Sequence, residues 1–114
     1  MNVERFLPLT PVVLEIALSL AAGERHGYEI MQDVERRTDG AIVLHPGTLY
    51  RALGRLLDQG LIEELDERPN GGADDERRRY YRLTPLGQAA ARAEVDRLAS
   101  QISAARRLFR SGRA

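Results

Sequence analysis

From His45 to Ile62 the chain reads His-Pro-Gly-Thr-Leu-Tyr-Arg-Ala-Leu-Gly-Arg-Leu-Leu-Asp-Gln-Gly-Leu-Ile, a run that admits few structures. Advancing about 100° per residue from Leu49 brings Leu53, Leu56 and Leu57 onto one apolar stripe, the spacing of a helix that buries a single side. Thr48, Arg51, Gly54, Arg55 and Asp58 fall opposite. Pro46 suits the first helical position and Gly60 the position just past the end, which bounds the helix at about fourteen residues. That length fits a major groove.

An arginine-bearing helix face serves as a solvated surface as readily as a binding one, so its setting decides. Leu61-Ile62-Glu63-Glu64-Leu65-Asp66 reads as a strand, and Glu67 to Asp75, with Pro69-Asn70-Gly71-Gly72, reads as a loop. Glu76 to Thr84 reads as a second strand opening on Arg77, Arg78 and Arg79, so the two strands form a hairpin. Alternation sends Tyr81 and Leu83 to the core and leaves Tyr80 and Arg82 on the other face. A helix followed by a hairpin, with arginines on both, is a winged helix-turn-helix.

Upstream, Thr10-Pro11 is a cap followed by a first-turn proline, and Gly23 is a stop, giving a helix over 10–22. It is apolar nearly all round, so it needs cover on more than one side. Part of it, including Leu14 and Leu18, is expected to form a subunit interface. A second helix runs from Gly27 to Arg37, with Ile30, Met31 and Val34 inward, and Asp39-Gly40 ends it. Ala41 to Leu44 is expected to be a short strand completing a three-stranded sheet.

Thr84-Pro85 repeats the cap-plus-proline start and opens the longest helix, over about 85–109. Its apolar positions Ala91, Val95, Leu98, Ile102, Ala105 and Phe109 recur at heptad spacing, with polar residues on the remaining surface. A narrow seam on a helix some 35 Å long wants one partner helix, and a second copy of the chain supplies it. The expected organisation is therefore a winged helix-turn-helix over 1–84 and a C-terminal dimerisation helix with a basic tail over 85–114. The class is α+β, mostly α.

Composition excludes several alternatives. At 114 residues the chain is one domain with a modest core. Hydrophobic residues make up 43% and charged residues 30%, as in a soluble protein, and no apolar run is long enough to span a membrane. A cytoplasmic location is expected. Cysteine is absent, which removes disulfides and thiolate chemistry. Two histidines give no tetrahedral metal set, although His26, Glu29 and Asp33 share a helix face. No phosphate loop, nucleophile elbow or histidine-centred triad appears, so neither enzyme activity nor a cofactor is expected. Formal net charge is zero, so DNA binding would depend on a local basic face.

The chain resembles the PadR family of bacterial transcriptional regulators. The matching pieces are Arg25-His26-Gly27-Tyr28-Glu29-Ile30, Pro46-Gly47-Thr48-Leu49-Tyr50-Arg51-Ala52-Leu53, Leu56 with Gly60-Leu61-Ile62, and Arg78-Arg79-Tyr80-Tyr81-Arg82-Leu83-Thr84-Pro85-Leu86-Gly87. They stand in the family's order and span about residues 10 to 90. The tail after Gly87 is similar to the family's short branch, with one C-terminal helix. Two departures stand out: His45 replaces the usual serine, a better helix cap, and Asp74-Asp75-Glu76 places acids beside the wing arginines.

The resemblance implies a ligand-responsive repressor that binds double-stranded DNA as a homodimer on a pseudo-palindromic operator. Thr48, Arg51 and Arg55 then face the major groove or its phosphates. Tyr50 either packs or carries its hydroxyl to a phosphate. Arg77, Arg78 and Arg79 belong to the wing, where they touch backbone or minor groove. Val95, Leu98, Ile102, Ala105 and Phe109, with Leu14 and Leu18, form the dimer interface. A small hydrophobic effector between the C-terminal helices and the domain is the family's usual elaboration. The alternative is a winged helix that serves only protein interaction or dimerisation.

Overall fold

The computed structural model describes residues 2–65 and 79–111. A short 3-10 turn, Glu4–Phe6, precedes helix α1 (Pro11–Ala21), strand β1 (Arg25–His26), helix α2 (Gly27–Arg37) and helix α3 (Pro46–Asp58). Strands β2 (Ile62–Glu64) and β3 (Tyr80–Leu83) and the long helix α4 (Pro85–Arg110) complete the order. The result is a mostly helical winged-helix arrangement with one small antiparallel sheet.

Local chemistry explains the helix starts. The Thr10 hydroxyl accepts from the Val13 N–H ahead of Pro11, and the Thr84 hydroxyl accepts from the Gly87 N–H ahead of Pro85. Each such cap stabilises its helix by about 1 kcal/mol. His26 caps α2 through Nδ1, which accepts from the Glu29 N–H, while the Glu29 carboxylate accepts from the His26 N–H, a reciprocal capping box. His45, by contrast, makes no side-chain cap at the start of α3. Gly60, at φ 76°, turns the chain out of that helix toward β2.

The stripe of α3 packs as its spacing demands. Leu49, Leu53 and Leu56 join Ile16, Leu20, Ile30, Val34, Leu44, Leu61, Ile62, Tyr81 and Ala90 in one core. Full burial stabilises each leucine by about 1.5–3 kcal/mol. Leu57 does not belong to it; it lies at the stripe's edge and is exposed.

The sheet corrects two further expectations. Its order is β1-β3-β2, so β3 is central, with Arg25 opposite Tyr81 on one side and Ile62 opposite Leu83 on the other. The third strand is therefore Arg25–His26, not residues 41–44. Thr38 gives the reason: its hydroxyl accepts from the Ile42 N–H and donates to the Val34 carbonyl, folding that segment into a turn. Both edges of β3 are already occupied. Tyr80 is buried together with Tyr81, because the His26 ring meets Tyr80 edge-on at 5.2 Å and covers the face that alternation had left to solvent.

Helix α1 packs on α2, α4 and β3, which covers more of its apolar surface than its sequence led us to expect from one chain. Leu14 and Leu18 remain half-buried. Only the first part of α4 packs inward, through Gly87, Ala90, Ala91 and Glu94. Beyond that point the helix projects. Among the described residues no helix is long and apolar enough to cross a membrane.

Candidate nucleic-acid interface

Because Leu49, Leu53 and Leu56 fix one side of α3 in the core, the opposite side must face outward. Thr48 is half-buried at its margin, while Arg51 and Arg55 are exposed. Several other arginines are held by acids. Asp33 receives Arg37 Nε at 2.8 Å and Arg36 Nη2 at 3.0 Å, with Arg25 Nη2 at 3.9 Å, and Glu15 takes Arg37 Nη1 at 2.7 Å. Arg82 meets Glu63 at 2.6 Å and Glu24 at 3.7 Å, and Arg97 meets Glu94 at 2.7 Å. Among the described residues no carboxylate stands within ion-pair distance of Arg51 or Arg55. Their guanidinium forks are free to take phosphate or guanine.

Tyr50 is half exposed, at 50%, yet its hydroxyl turns inward. A Cβ placed on Gly27 would lie 2.5 Å from the Tyr50 hydroxyl oxygen, so α3 rests directly against the start of α2. That contact favours packing for Tyr50 over a reach to phosphate. It also seats Tyr28, 60% exposed, at the same end of α2. Neither the Gly27–Tyr50 contact nor Tyr28 was found from sequence, since nothing in the spacing of either helix specifies a contact between them.

At the base of the wing, Arg79 is exposed with its Nε 3.6 Å from the Glu64 carboxylate. Burial, and then the charge of Glu64, push the Tyr81 phenol upward, while Arg79 acts against both. Arg79 therefore lies beside Tyr81. Arg77, Arg78 and the acidic stretch Asp74-Asp75-Glu76 lie outside the described residues.

Two buried carboxylates lie elsewhere in the fold. Burial would raise the Asp33 carboxyl, but the hydrogen bond from Arg37 and the charges of Arg37 and Arg25 outweigh it, so its pKa is lowered. Glu94 is likewise lowered, first by its hydrogen bonds with Arg97, against burial, and further by a backbone hydrogen bond from Leu9. His26, Glu29 and Asp33 do not converge: His26 and Glu29 cap a helix, and Asp33 binds arginines. The capping role was legible in principle, because a glutamate three residues after the cap is its usual signature.

The seam of α4 opens progressively. Ala91 is buried, Leu98 and Ala105 are half-buried, Val95 and Ile102 are exposed, and Phe109 reaches 72%. Leu108 is equally exposed. An apolar strip of this kind on a projecting helix suits association with another helix.

Comparison with known proteins agrees with this geometry. The family described as transcriptional regulator PadR-like matches residues 13–93. The chain is similar to transcriptional regulator Rv3488 of Mycobacterium tuberculosis, at 38% identity over 79 residues, covering 69% of this chain and 67% of that protein. Among solved structures it resembles a transcriptional regulator from Clostridium thermocellum, with a TM-score of 0.69 and 28% identity over 84% of this chain and 87% of the other. A PadR family transcription regulator from Clostridium difficile shares the fold, with a TM-score of 0.71 and 22% identity over 88% and 99% of the two chains.

Proposed function

The chain belongs to the PadR-like family of transcriptional regulators, and from that premise we propose that it is a sequence-specific repressor acting as a homodimer on a pseudo-palindromic operator. As a regulator of this family it binds DNA and is not an enzyme. The observation that carries the reading is the outward face of α3, where Arg51 and Arg55 stand clear of the acids that engage so many other arginines. Thr48 flanks them, and Arg79, with Arg77 and Arg78, supplies wing contacts to the phosphates. Two copies joined through α4 would present two α3 helices to half-sites about one helical turn of duplex apart. The exposed apolar residues of α4 support that pairing, as does a shallow depression lined by Ala99, Ile102, Ser103, Arg106 and Arg110. In the dimer the same strip would take a small hydrophobic effector, whose binding alters the separation of the α3 helices and so the affinity for DNA. We place this regulator in the cytoplasm, with the chromosome it reads.

Selection of duplexes from a randomised pool tests this directly. The full chain should enrich one inverted repeat, and binding to it should fall steeply with salt. Retention of duplexes without sequence enrichment would instead make the fold an interaction module.

A further inference from the structure

A Cβ added to Gly54 would meet no atom within 4 Å, although this glycine lies well inside α3. Glycine in a helix interior weakens the helix relative to alanine, so a fold keeps it at no benefit unless something needs the missing side chain. Five of the other six described glycines are accounted for within the chain. Gly23, Gly40 and Gly60 take positive φ, Gly27 receives the Tyr50 hydroxyl, and Gly87 lies against the Leu61 carbonyl. Gly47 sits in the first turn of α3, close to Arg51 Nη1. Nothing among the described residues asks for a glycine at 54.

Its position supplies a reason. On the helical wheel Gly54 lies about 140° from Leu49, on the face turned away from the core. It follows Arg51 by three residues and immediately precedes Arg55, both of which stand clear of acids among the described residues. Tyr50, one turn before it, and Leu57, nearly one turn after it, are both exposed, and Gly54 itself is half-buried between these larger neighbours. Glycine is favoured where a backbone must come close to a ligand.

Resting on the DNA-binding reading above, we propose that Gly54 is a specificity-determining residue: its missing side chain lets α3 seat deep enough in the major groove for Arg51 and Arg55 to reach base edges. A side chain at 54 holds the helix away from the groove floor. The arginines then still reach phosphates, which line the groove's rim, but lose their bidentate geometry on guanine. Sequence preference is lost before affinity for duplex in general.

The test uses the full chain, the duplex that wild type selects from a randomised pool, and an unrelated duplex of equal length. Gly54→Ala and Gly54→Leu should both melt at higher temperature than wild type, because each restores helix propensity. Gly54→Ala should bind the selected duplex about tenfold more weakly, the loss of one base contact, and Gly54→Leu more weakly still. Affinity for the unrelated duplex should change much less. Unaltered binding of the selected duplex by both variants would overturn the proposal. So would an equal loss on both duplexes, which places the contact on phosphate, or a lower melting temperature, which shows that the fold itself needs the glycine. If wild type selects no duplex at all, the DNA-binding reading has failed before the variants are compared.

Discussion

Arg51 and Arg55 can be removed without touching the leucines that hold α3 in place, and this separates binding from folding at the scale of single residues. Replacing both by alanine should leave the melting temperature near that of wild type. Specific affinity should fall by about 1–3 kcal/mol for each arginine that reads a base. Wild-type affinity and preference in the double variant, measured by gel shift, would sink the assignment. Neutralising Arg77, Arg78 and Arg79 should act differently, weakening binding to all duplexes alike and reducing its salt dependence, since phosphate contacts carry no base information. Asp33 gives a prediction of another kind. Its carboxyl is lowered in the folded chain, so the stability it contributes is present above the ordinary carboxylate range and is lost as pH falls through the folded-state value. Asp33→Ala should therefore cost about 2 kcal/mol at neutral pH, a cost that shrinks toward strongly acidic pH when unfolding is followed by urea titration. At this scale the exposed arginines and the Thr10 and Thr84 caps were legible from residue type and spacing. The Asp33 cluster was not, because Arg25, Arg37 and Glu15 reach it from three different elements.

Between elements, the joint that matters most lies where α3 ends and α4 begins. The Thr84 hydroxyl donates to the Gly60 carbonyl at 2.6 Å and the Thr84 N–H to the Leu61 carbonyl at 3.1 Å, while the backbone of Gly87 lies directly on Leu61. The exit from α3 and the start of α4 are thus joined directly. Gly87→Ala has no room at this contact, because the obstacle is backbone and cannot turn aside. It should lower stability by about 1–3 kcal/mol, the cost of overpacking, with the loss read as an earlier thermal midpoint. A variant as stable as wild type would show that α4 can lift from Leu61. This joint also marks the limit of reading from periodicity. Helices α1 to α4 announce themselves through caps, prolines and apolar spacing, and β2 and β3 through their hairpin. The two-residue strand β1 has no periodicity of its own; it exists because the central strand β3 offers an edge. Residues 41–44 look more strand-like in isolation, yet Thr38 takes the Ile42 N–H that a ladder would need.

Considered whole, the molecule extends 61 × 33 × 22 Å, because α4, about 39 Å long at its helical rise, outreaches the core that holds its first turns. The apolar residues left on that projection set the last prediction. Leu98 and Ile102 occupy the middle of the seam, and a charge on either would be desolvated at the closest approach of two helices, at a cost of several kcal/mol. Ile102 is 49% exposed in the single chain, so Ile102→Asp leaves the subunit's own packing nearly untouched, whereas Leu98→Asp disturbs both. Ile102→Asp should therefore remain folded by circular dichroism and sediment as a monomer. Since a monomer engages one half-site and forfeits the coupled binding of the second, operator affinity should drop about 10²–10⁴-fold although no DNA-facing residue has changed. A folded Ile102→Asp protein that sediments as a dimer and binds normally would move the interface to the side of α1 that carries Leu14 and Leu18.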